Sequence, residues 1–109
     1  MLDEYYGEWN KKGATLSDKT AAREYGLTRE EIYEAVNAGH LQHRMQAIHG
    51  NPFLRLLRRE VEAFVATEHG GEELAERKRK SEIKKIEREI RRLKREISDL
   101  EARKADLTT

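Results

Sequence analysis

The sequence predicts a mainly α protein in two parts: a small domain of three helices and a β-hairpin, then one long coiled-coil helix. Three observations predict it. A glycine pair, Gly70-Gly71, divides the composition, and past it there is no further Gly, Pro or aromatic residue. Beyond the pair, Ile and Leu recur at alternating steps of three and four, the period of a helix that packs along another helix. Before it, helix caps and turn residues are spaced for several short elements. A chain of 109 residues holds one small domain and an appendage, which excludes a large enzyme core.

Residues 1–14 read as an N-terminal arm, with Tyr5, Tyr6 and Trp9 expected to dock it onto the domain at 15–69. Ser17 or Asp18 caps a first helix carrying Ala21, Ala22 and Tyr25. Gly26 permits the positive φ of a tight helix-to-helix turn, and Leu27 fills the corner. Thr28 caps a second helix with Glu31 at its third position, a capping box, and Ile32 and Val36 lie one turn apart. Gly39 closes that helix. Residues 41–48 read as a strand, 49–52 as a turn and 53–57 as a second strand. The run RREVEAFVATEHG then gives a third helix with Val61, Phe64 and Val65 inward. Two helices, a hairpin and a closing helix make a winged helix-turn-helix.

Residues 72–107 read as the coiled-coil helix, about 54 Å long at ~1.5 Å per residue. Ile83, Ile90 and Ile97 occupy a; Ile86, Leu93, Leu100 and Leu107 occupy d; Lys104 takes the last a. So narrow an apolar seam suits a partner helix, and a homodimer or higher homo-oligomer is expected. β-Branched a positions with mostly Leu at d favour a parallel pair. The flanking charges choose no orientation: a parallel pair sets Glu89 against Lys94 but Glu82 against Glu87, and an antiparallel one sets Glu89 against Glu96.

The whole chain carries 22 Lys+Arg and 21 Asp+Glu, a net charge of +1 that by itself predicts no polyanion partner. By part it is uneven. Residues 1–70 hold 9 basic and 11 acidic residues, and residues 71–109 hold 13 and 10. His43, Arg44, His49, Arg55, Arg58 and Arg59 gather on the hairpin, with Asn51 at its tip. A second stripe, Lys84, Lys85, Arg88, Arg91, Arg92 and Arg95, falls on outward b, c and f positions, and Arg77 and Lys78 extend it. DNA phosphates would account for a stripe of one sign, and a solvated helix face balanced by Glu at e and g is the plainer reading. Cysteine is absent, which excludes disulfides and thiolate chemistry. His40, His43 and His49 share no face, so no metal or other cofactor and no enzymatic activity are expected. No apolar run approaches the roughly 20 residues of a membrane span, and the start MLDEYYGEWNKKG is unlike a signal peptide. A cytoplasmic protein is the expectation.

Several residues together resemble the excisionase-like, MerR-like winged-helix DNA-binding domains over about residues 15–67. They are Ala21-Ala22, Gly26-Leu27-Thr28, Ile32-Tyr33, Gly39-His40-Leu41 and the closing Arg59-Glu60-Val61-Glu62-Ala63-Phe64. The resemblance implies that the helix after Gly26 lies in the major groove of double-stranded DNA, contacting it through Thr28, Arg29, Tyr33 and Asn37. It implies that the hairpin tracks the backbone or minor groove through His43, Arg44, His49, Asn51, Arg55 and Arg58. The family's regulators also dimerise through a C-terminal coiled coil, which is antiparallel. Its members usually present Arg or Lys on the groove helix, where this sequence has Glu30, Glu31 and Glu34. A sequence-specific DNA-binding regulator or excisionase-like factor is therefore expected; an adaptor that grips a protein instead of DNA also fits those carboxylates.

Overall fold

The computed structural model describes residues 7–109. It is mainly helical, with a small antiparallel sheet and a long C-terminal helix. In chain order come β1 (Thr15–Ser17), α1 (Asp18–Tyr25), α2 (Arg29–Asn37), β2 (His43–Ile48), β3 (Asn51–Leu57), α3 (Arg58–His69) and α4 (Gly71–Thr108). Residues 7–10 are helical as well. Ser17 caps α1, its hydroxyl accepting from the Thr20 backbone N–H at 3.1 Å. Asp18 follows in the first turn, where the helix dipole favours a carboxylate. The helix ends at Gly26 in the left-handed region (φ 64°, ψ 33°), with the glycine N–H on the Ala22 carbonyl. Thr28 Oγ1 accepts from the Glu31 N–H at 3.1 Å, and the Glu31 carboxylate accepts from the Thr28 N–H at 3.2 Å. Both halves of the capping box are made.

The strands lie in the order β1-β3-β2, all antiparallel. β1 is absent from the sequence reading, because three residues carry no period of their own; pairing Leu16 with Leu56 makes them a strand. The hairpin is tighter than expected. Ile48 pairs with Asn51, so only His49 (φ 52°) and Gly50 (φ 81°) form the turn. Positive φ at both central positions gives the turn a twist that matches its strands. Asn51 and Pro52 consequently belong to β3. Pro52 lies beyond the pairs that β1 makes, so its missing N–H faces a free edge. β2 starts at His43 because Leu41 is turned into the core, and the Gln42 N–H donates to Glu60 at 2.8 Å.

Alternation sorts the sheet. Leu16, Leu54 and Leu56 share the face that joins Ala21, Tyr25, Leu27, Ile32, Ala35, Leu41, Val61 and Val65 in the main core. The other face carries Arg44, Arg55 and Leu57; Leu57 and Trp9 are buried outside that cluster. Tyr5 and Tyr6 lie outside the described residues. α3 stops at Gly70 (φ 93°) and α4 begins at once. The first compact unit nevertheless extends to Lys78, and the second is Arg79–Thr109. Leu74 packs on the core, Arg77 donates to the Tyr25 carbonyl at 2.7 Å, and Lys78 pairs with Glu62 at 3.3 Å. Arg77 and Lys78 thus anchor the first unit rather than lengthen the basic stripe. The second unit is helix as far as Thr108, and its seam from Ile83 to Leu107 stands 43–86 % exposed.

Candidate functional site

α2 buries Ile32 and Ala35 and places Arg29, Tyr33 and Asn37 in a row at steps of four, with Arg29 and Asn37 exposed and Tyr33 half-buried against the core. Arg29 Nε donates to the Tyr33 hydroxyl at 3.0 Å, and its guanidinium carbon sits 5.3 Å from the ring centre. The pair is one unit: a cation laid over a ring, with further guanidinium N–H groups left outward. Asn37 is exposed at the far end. The three carboxylates of this helix differ in kind. Glu31 is held by the Thr28 N–H and by His69 Nε2 at 3.3 Å. The Thr28 N–H above all lowers its carboxyl from the ordinary value; burial opposes this, and the His69 hydrogen bond adds to the lowering. Glu30 and Glu34 are exposed beside the row. Thr28, read as a DNA contact, has its hydroxyl occupied by the cap.

On the hairpin, His43, Arg44, His49 and Asn51 are exposed. The Arg44 guanidinium lies 4.4 Å from the centre of the Trp9 ring. Its register partner Arg55 donates Nε to Thr15 Oγ1 at 3.0 Å and Nη2 to the Trp9 carbonyl. Arg58 binds the Gly13 carbonyl at 3.0 Å, Glu24 at 2.7 Å and the Tyr25 hydroxyl at 2.9 Å. Arg59 makes two bonds to Glu8, at 2.8 and 3.0 Å, which lower the Glu8 carboxyl from its ordinary pKa. The cluster read from sequence therefore divides: three arginines hydrogen-bond the N-terminal segment and α1, while Arg44 is exposed on the hairpin and touches that segment only through the Trp9 ring. Sequence offered one signal for this, the aromatic residues of the arm, of which Trp9 lies within the described residues. It offered none for Glu24 and Glu62, which complete the Arg58–Tyr25 network.

In the second unit, Arg92 is flanked by Glu89 and Glu96, reaching the latter at 2.6 Å. Lys84, Arg88, Arg91 and Arg95 have no ion pair among the described residues. Among those residues no group of three or more His, Asp or Glu is placed to hold a metal ion, and no helix is long and apolar enough to cross a membrane. The chain matches no protein-family model, no curated protein and no solved structure.

Proposed function

We propose that the chain is a sequence-specific DNA-binding protein, a cytoplasmic regulator or excisionase-like factor, acting as a coiled-coil dimer. In this reading the first unit is a winged helix-turn-helix domain whose α2 enters the major groove. The observation that carries it is the row Arg29, Tyr33, Asn37 on a helix that follows a left-handed glycine turn, with Arg29 and Asn37 exposed and the half-buried Tyr33 between them. Arg and Asn are the side chains suited to purine edges. His43, Arg44, His49 and Asn51 supply the hairpin's contacts to backbone or minor groove. Thr28, Arg55 and Arg58 support the domain instead of touching DNA in this reading, since they are engaged within the fold: Thr28 caps α2, Arg55 binds Thr15, and Arg58 binds Glu24.

Fluorescence anisotropy with a mixed-sequence duplex at about 50 mM salt tests the reading, because phosphate contacts are strongest there. Binding that weakens steeply with salt is expected, and its absence at that salt ends the proposal. Arg29→Ala and Asn37→Ala should each cost roughly 1–3 kcal/mol on the preferred sequence and less on others. Two features favour a second reading, a protein adaptor. Glu30 and Glu34 are exposed on α2, and Met45 and Ile48 stand 62 % and 60 % exposed on the hairpin. Carboxylates repel phosphate, and exposed apolar side chains suit a protein partner. A duplex-binding failure in the same assay selects it.

A further inference from the structure

The second unit carries four cations in a single line. Lys84, Arg88, Arg91 and Arg95 follow one another at steps of four, three and four, so they stack along one helical face. The line is about 16 Å long at ~1.5 Å per residue. Its continuation is neutral, Ser98 and Ala102, so no acidic residue interrupts it. The neighbouring Arg92 is drawn aside by Glu89 and Glu96, whereas these four have no ion pair among the described residues. At ~100° per residue the line faces about 150° away from the Ile/Leu seam. Dimerisation through the seam leaves it open.

We infer that this line is a second binding site, a rail for the phosphates of duplex DNA that operates apart from base reading by the first unit. It rests on the proposal that the ligand is DNA. A ~16 Å line spans about five phosphates of one strand at ~3.4 Å of axis each, which matches four cations. The residues around it argue against other polyanions. An interfacial helix on a membrane must seat an apolar face in the lipid, and here the only apolar stripe, the Ile/Leu seam, is taken by the partner helix in the proposed dimer. Single-stranded nucleic acid is gripped by stacking on aromatic rings, and residues 71–109 contain none. Four cations without rings or apolar neighbours contact phosphate alone.

The test uses the full chain and a fluorescent mixed-sequence duplex. Lys84→Gln, Arg88→Gln, Arg91→Gln and Arg95→Gln together should flatten the plot of log affinity against log salt by about 0.9 for each phosphate released, up to about 3.6. The sequence selected from a randomised duplex pool should not change. Replacing the three arginines by lysine instead should preserve the slope, since a point charge suffices for phosphate. An unchanged slope in the glutamine variant overturns the rail, and so does equal wild-type affinity for a single strand or for anionic vesicles. The outcomes separate the two proposals. Selection of a sequence with an unchanged slope sinks the rail alone. A slope that the variant flattens, without any selected sequence, leaves the rail standing and removes base reading. No duplex binding removes both. Helicity and sedimentation of the variant should equal the wild type, because all four positions are exposed. A variant that has lost its helix is replaced by Lys84→Gln with Arg88→Gln, for which half the change is expected.

Discussion

Gly26 separates two causes of strain that are usually tangled. A Cβ built there would meet only the Arg77 side chain, at 3.7 Å or more, which is ordinary contact. The cost of Gly26→Ala therefore comes from φ alone, about 1–2 kcal/mol for an L-residue in the left-handed region. Gly26→Asn should lose less, and urea denaturation of the two variants checks the order. Tyr25 gives a second prediction. Burial, then its hydrogen bond to Glu62 at 2.6 Å, pushes its pKa up to about 12, against the opposing pull of Arg58. The fold thus prefers the neutral phenol. Its contribution is complete below the unfolded value near 10 and is lost as pH rises towards about 12. An absorbance titration should show a late phenol ionisation near pH 12, and Tyr25→Phe should remove that step. Caps and the glycine turn were legible at this scale because each is a local pattern. The Tyr25 network was not, since Glu62 and Arg58 reach it from α3 and nothing in their spacing points to α1.

Legibility fell off at the sheet. The paired strands of the hairpin and the three short helices follow from caps, turns and apolar spacing. β1 has no such signature and exists because β3 offers it an edge. The same distance in sequence hid the fate of the arginines: they sit on β3 and α3, and their partners lie in residues 8–15 and on α1. A charge count sees three exposed cations, whereas the fold uses them to fasten a strap. Trp9 is the centre of that strap, buried at 5 % exposure with Arg44 on its ring. Trp9→Ala should cost about 3–5 kcal/mol, the range for deleting a large buried aromatic side chain. Denaturant unfolding measures the loss, and cleavage by trypsin near Lys11 and Lys12 should accelerate in the variant. A change under about 1 kcal/mol would mean that the segment only rests on the sheet.

The molecule as a whole cannot be judged from one chain, because its longest element leaves an apolar seam in water. Seven Ile and Leu side chains there are 43–86 % exposed. Burying one such side chain fully is worth roughly 1.5–3 kcal/mol, so a paired seam gains far more than helix propensity supplies. The pairs of Arg92 with Glu89 and Glu96 lie in solvent and add little to this. On the proposed function the seam is covered by a second copy, and we predict a homodimer at micromolar concentration by sedimentation equilibrium. Ile90→Asp with Leu93→Asp places charge in the middle of the seam and should give monomers. The first unit should keep its own thermal transition in that variant, because its last anchors, Leu74, Arg77 and Lys78, precede Ile83. Loss of that transition would show that the folded unit itself depends on the pair. A wild type that stays monomeric at high micromolar concentration would remove the dimer from the proposed function, leaving a single domain to read DNA.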